Sequence, residues 1–149
     1  MISKSDIHQA CIDKLQSQID ELTSAIEKVH ESVIGEENST AGNKFETARA
    51  MGQEELERLN IQLAAHVKDM NTLIQISATK PCYSVQLGAY IETTKKKLYM
   101  CTALGKIEVG KEVIFAVSLG SPIGQVLLGK EKGDSVVFAG KSEKITAIH

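Results

Sequence analysis

The chain has 149 residues, 42% of them hydrophobic and 24% charged, with a formal net charge of −2. That composition excludes a disordered chain and leaves room for one ordinary domain or two small ones. Aromatic residues make up only 4% and Trp is absent, which argues against an aromatic-lined pocket or a base-stacking platform as the main device.

The charge is unevenly laid down. Residues 1–80 hold 13 acids against 8 bases, and residues 81–149 hold 9 lysines against 6 acids, so two faces with different partners are expected. Cys11, Cys82 and Cys101 are odd in number and form no C-x-x-C pair. They read as reduced core or half-buried thiols of a cytosolic protein. Met1 leads directly into polar residues, so no secretory leader is expected. No apolar run approaches the ~18 residues of a membrane span. The expected location is cytoplasmic, with no membrane partner.

In chain order, Ser3-x-x-Asp6 has the outline of a capping box, and a first helix is expected from Asp6 to about Ile34. Within it Ile12, Leu15, Ile19, Leu22, Ile26, Val29 and Val33 alternate in steps of three and four, a heptad seam. Gly35 is expected to stop the helix. The polar stretch 35–43, carrying Glu36 and Glu37, should form the turn. Asn43, with Glu46 three residues on, is expected to cap a second helix. Its apolar stripe is Phe45, Ala48, Leu56, Leu59, Leu63, Val67, Met70 and Ile74. That helix should end before Lys80-Pro81, because proline disfavours helix in the residue before it. Neither stripe is stable alone in water, so the two arms should pair. The expected first domain, 1–80, is an antiparallel coiled-coil hairpin whose arms reach roughly 40 Å.

From Cys82 the apolar period changes to two. Strands are expected over 83–91, 97–103, 112–118, 135–139 and 143–148, joined by short polar turns. Hairpins are the shortest way to connect strands so close in sequence, so an antiparallel sheet is expected. Between the third and fourth strands, Ser121 should cap a short helix with Pro122 in its first turn and Gly129 as its stop. Its Ile123, Val126 and Leu127 face would pack on the sheet. The expected class is α+β, with 81–149 as a small sheet domain bearing one helix.

Most remaining charges read plainly. Lys14, Lys28, Lys44, Arg49 and Arg58 are expected on exposed helix faces, with phosphate tracking as the alternative. His8, His30 and His66 lack zinc-ligand spacing. The Lys95-Lys96-Lys97 run reads as a solvated turn, with contact to an acidic surface as the alternative.

The run Ser121-Pro-Ile-Gly-Gln-Val-Leu-Leu-Gly-Lys-Glu-Lys-Gly-Asp134 resembles the signature of the Gre-type transcript-cleavage factors. The order of parts agrees as well, an N-terminal antiparallel coiled coil followed by a C-terminal domain of FKBP-like fold. The resemblance implies a transcription elongation factor that binds RNA polymerase and is not itself an enzyme. Its globular domain would dock at the rim of the polymerase's secondary channel, with Ser121, Pro122, Ile123, Gly129, Lys130, Glu131, Gly133 and Asp134 as docking candidates. The coiled coil would enter the channel. Tip acids Glu36 and Glu37, with Glu46 nearby, would help hold a Mg²⁺ shared with the polymerase while it hydrolyses the 3′ end of backtracked nascent RNA. No permanently bound cofactor is implied.

The tip departs from the family's pattern. Gly35-Glu36 stands where the family has Gly-Asp. The second acid's position falls on Ser39, with Glu37 close by, and Asn43-Lys44-Phe45 echoes the family's Asn-Ala-Glu-Tyr without its acid. A non-cleaving polymerase modulator or inhibitor is therefore the alternative expectation. A more remote one is an FKBP-like prolyl isomerase or chaperone, for which Tyr83, Tyr90, Tyr99, Phe115 and Phe138 are the available aromatics.

Overall fold

The computed structural model describes residues 2–37 and 42–149, except for the side chains of residues 33–37, 42–46 and 48. Two 34-residue helices, α1 (Lys4–Glu37) and α2 (Gly42–Gln75), precede a six-stranded sheet and one short helix. The class is α+β. The chain divides into two compact units, one made of Met1–Leu15 with Met70–His149 and the other of Gln16–Asp69.

The second unit holds the distal parts of both helices. Ile19, Leu22, Ile26 and Val29 of α1 are half-buried there, as their spacing demands. On α2 Leu59 is buried and Leu56, Leu63 and His66 are half-buried. Val67, assigned to the seam from the sequence, is instead exposed. The same slip recurs at the end of α2 in the first unit, where Leu73 is 0% exposed and Ile74 is 59% exposed. The strict three-four alternation from Leu56 passes through residues 59, 63, 66, 70 and 73. One residue of error rotates a side chain by about 100° around the helix. A histidine at position 66 disguised the phase, because its neighbour Val67 is the better hydrophobe.

In the first unit α1 opens with a reciprocal cap. The Ser3 Oγ accepts from the Asp6 amide at 3.1 Å, and the Asp6 Oδ2 accepts from the Ser3 amide at 3.3 Å. The sheet has the order β3-β4-β2-β1-β6-β5. Its strands are β1 (Tyr90–Thr93), β2 (Lys97–Cys101), β3 (Gly105–Val109), β4 (Glu112–Ser118), β5 (Ser135–Phe138) and β6 (Lys141–Ile148).

Two strand expectations are corrected. The sequence predicts no strand over 105–109, where the structure has β3. Strand β3 reverses the chain after β2, β4 reverses it again, and β4 then lies parallel to β2 with Leu98 opposite Phe115 and Met100 opposite Val117. The sheet is therefore mixed, and every other pairing is antiparallel. Residues 83–89 form no named strand beyond a Ser84–Glu131 bridge, although their apolar period is two. Their backbone bonds are split: Val85 N donates to Lys130 O at 2.8 Å and Gly129 N to Val85 O at 2.9 Å, just after the short helix α3 (Pro122–Leu127), while Gly88 N donates to Met100 O at 2.7 Å and Met100 N to Ala89 O at 2.9 Å.

Both faces of the sheet are used. On one, Ile91, Leu98, Met100, Val136 and Ile145 join Leu127 in a buried cluster, and Ile123, Val126 and Val117 pack against it. On the other, Tyr99, Cys101, Ile107, Ile114 and Ala116 are buried beneath the first turns of α1, where Ile7, Cys11 and Leu15 are fully buried. Each such aliphatic side chain contributes roughly 1.5–3 kcal/mol, well above the ~1 kcal/mol of a net hydrogen bond. Burial therefore dominates the attachment, and polar contacts set its register. Lys14 Nζ donates to Leu104 O at 2.8 Å and Lys106 O at 2.9 Å, and Lys4 Nζ donates to Lys80 O at 2.7 Å.

Candidate functional site

The sequence points to two regions, the segment joining α1 to α2 and the stretch 121–134. In the first, the helical backbone continues through Gly35 to Glu37 and resumes at Gly42. Gly35 is thus an interior helix residue rather than a stop. The helix tolerates it at about 1 kcal/mol relative to Ala. Glu36 and Glu37 are the last two residues of α1, and Glu46 lies in the second turn of α2. Residues 38–41, Ser39 included, lie outside the described residues, as do the side chains of Glu36, Glu37, Lys44, Phe45 and Glu46. Among the described residues no cluster of three or more His, Cys, Asp or Glu is arranged to hold a metal.

In the second region each residue type has a local cause. Ser121 is extended (φ −69°, ψ 159°) and caps α3. Its Oγ accepts from Gly124 N at 3.1 Å and donates to Ser118 O at 2.7 Å. Pro122 opens the helix, where its missing N–H costs nothing. A Cβ on Gly124 would stand 2.1 Å from Ser118 O and 2.9 Å from Leu119 O, so only glycine fits. Ile123 packs against the buried cluster. After α3 the chain turns at Gly129, and Asp134 Oδ2 then accepts from Glu131 N at 2.8 Å. Gly133, at φ 94°, donates from its amide to Ile145 O at 2.8 Å, and Ile145 N returns a bond to Asp134 O at 2.9 Å. The run is thus a preorganised corner tying α3 to β6. Its side chains open to solvent are Pro122, Gln125, Leu128, Lys130, Glu131, Lys132 and Asp134.

The cysteines and His8 serve the core. Cys11, Cys82 and Cys101 are buried free thiols. A hydrogen bond to Cys101, and then burial, push the Cys11 thiol far up, away from the reactive thiolate. His8 Nδ1 lies 2.8 Å from Tyr99 Oη. Burial first, then the nearby Lys4 ammonium, hold the His8 imidazole below its ordinary range. The candidate isomerase aromatics do not converge. Tyr99 is in the core against α1, Phe115 points to the opposite face, and Tyr83 is 82% exposed.

Sequence reasoning missed Glu143, which is 4% exposed. It accepts from Thr93 Oγ1 at 2.8 Å and pairs with Lys96 at 3.1 Å. The signal was available, since Glu143 is in phase with the core residue Ile145 along β6.

No protein-family model matches the chain. No curated protein sequence matches it. A solved structure of the transcription factor Gfh1 is similar over 93% of this chain and 92% of its own, at 14% identity and a TM-score of 0.35. That likeness is too loose to carry a functional assignment.

Proposed function

We propose that this chain is an RNA polymerase-binding elongation factor of the Gre type, acting through the polymerase's secondary channel. The observation that carries the reading is the pair of 34-residue helices, each about 50 Å long, whose facing ends in the sequence carry Glu36, Glu37 and Glu46. Helices of that length greatly exceed what a small core needs, and they suit delivery of their junction into a narrow channel. The built corner at 121–134, carrying the motif on which the resemblance rests, supports the same reading and supplies the docking candidates.

Glu36 and Glu37 end α1 at the negative pole of its dipole, where carboxylates are disfavoured by about 0.3–1 kcal/mol each. A cation relieves that cost, and carboxylate oxygens are the donors Mg²⁺ takes, usually one or two from a protein. By residue type, Glu36 and Glu37 would supply oxygens to a metal ion shared with the polymerase. Such an ion supplies Lewis-acid stabilisation of phosphodiester hydrolysis. This chain's own part is to bring carboxylates to the site and to hold them there. The hydrolytic machinery belongs to the polymerase.

A halted, backtracked polymerase complex tests the reading. Addition of the chain is expected to release short 3′ RNA fragments, and the E36A/E37A double variant is expected to abolish release while binding persists. A second reading is favoured by Ser39, which stands where the family carries its second acid. On that reading the chain enters the channel and inhibits or remodels without cleavage. Slowed elongation with no released fragment, relieved by E36A/E37A, distinguishes it. Absence of any polymerase binding contradicts both.

A further inference from the structure

The sheet leaves part of one face uncovered. Strand β4 spans seven residues (Glu112–Ser118), roughly 20 Å, whereas α3 has six (Pro122–Leu127) and covers roughly 9 Å. Val117, near the end of β4, packs against the buried cluster beside α3. Phe115 and Val113 share its face at alternate positions but are 39% and 38% exposed. They form the floor of a groove of about 520 Å³ at the start of β4. Because β2 and β4 are parallel neighbours, the same end of the sheet presents the β1–β2 turn on one side of the groove and the β3–β4 turn on the other. Those turns bring Lys95, Lys96, Lys97 and Lys111 to its lining.

The four cations are not equivalent. Lys96 is taken by buried Glu143 at 3.1 Å and lies 5.4 Å from the Phe138 ring centre. Lys97 pairs with Glu112 at 2.8 Å. Lys95 and Lys111 have no carboxylate partner among the described residues. The groove therefore carries two spare ammonium groups, one from each turn, with an apolar strip between them.

We propose that this groove docks an acidic peptide segment of a partner protein, two carboxylates meeting Lys95 and Lys111 while one apolar side chain covers Val113 and Phe115. The chemistry selects peptide over nucleic acid. A phosphate chain is held by a row of unpaired cations and by bases stacked on open aromatic faces. Here half of the lysines are already neutralised, and the one floor aromatic is more than half covered. An apolar side chain on the floor is dehydrated as it binds, and the flanking ion pairs fix its orientation. The groove lies at the opposite end of β4 from Ser121, so it is separate from the docking candidates above and does not depend on the polymerase reading.

The probe is a fluorescein-labelled peptide Asp-Glu-Leu-Phe-Glu-Asp, titrated against the full chain by anisotropy. Its amide analogue Asn-Gln-Leu-Phe-Gln-Asn and a single-stranded oligouridylate serve as comparisons. The acidic peptide is expected to bind, with K95E or K111E weakening it about threefold each and about tenfold together, and added salt weakening it further. Both lysines are exposed, so circular dichroism of the variants should match that of the native chain. V113S is expected to weaken binding with no change in salt dependence. Equal binding of the amide analogue, no response to K95E/K111E, or tighter binding of oligouridylate through the same lysines would overturn the proposal. So would a dimer in sedimentation that K111E dissociates, which would assign the groove to a second copy of the chain.

Discussion

At Gly124 the backbone of α3 approaches the end of β4 so closely that an added methyl would overlap Ser118 O. The neighbouring contacts are main-chain atoms of a cap and cannot swing aside, so G124A is expected to cost about 2–3 kcal/mol in urea unfolding. Gly120 is a fair comparison, since nothing lies within 4 Å of a Cβ placed there. G120A is expected to stay within about 0.5 kcal/mol of the native chain. His8 gives a prediction of another kind. Its folded pKa lies below the ordinary 6.5 because burial, and then Lys4, penalise the imidazolium. The unfolded chain therefore binds more protons than the folded one as pH falls through and below about 6.5, and stability is lost in that direction. The urea midpoint should drop between about pH 7.5 and 5.5, and H8Q should drop less. An equal drop would mean that other groups carry the pH dependence. Ser121, Pro122 and Gly133 were legible in the sequence because cap and turn chemistry is local. Glu143 was legible only as a residue in phase with Ile145 along β6, and its partners Thr93 and Lys96, from a distant hairpin, were not.

The helices were the most legible elements, since a three-four alternation over many turns has one physical reading. Their phase was less so. The seam of α2 runs through His66 and Leu73 rather than through Val67 and Ile74, because geometry and not hydrophobicity sets which residue faces inward. L73A is therefore expected to cost about 2–4 kcal/mol, and I74A less than about 1 kcal/mol. Equal costs would contradict the phase. In the sheet, β2 and β4 were readable as dense β-branched and apolar runs. Strand β3, at the edge of the sheet, was hidden by its burial of a single residue, Ile107. The alternating stretch 83–89 misled for the converse reason. It is apolar at every second residue yet packs as an irregular segment, its backbone bonded to Gly129, Lys130 and Met100. The parallel β2–β4 pairing follows from β3, so missing one strand also cost the sheet its topology.

Cut at the boundary between units, the charge asymmetry is sharper than the sequence halves suggested. Residues 16–69 carry 11 acids and 5 bases, and the other unit carries 12 bases and 8 acids. The Gln16–Asp69 unit is thus acidic and the unit holding the sheet is basic, so the two suit partners of opposite charge. The proposed function has the helix junction reach the polymerase's active centre. It is tested most directly by placing a photo-crosslinking residue at position 36 and irradiating a complex with core RNA polymerase. The account predicts an adduct on the subunit that carries the catalytic acids, lost when excess native chain competes. Stable binding with the adduct confined to the polymerase's outer surface, or no binding at all, would contradict it.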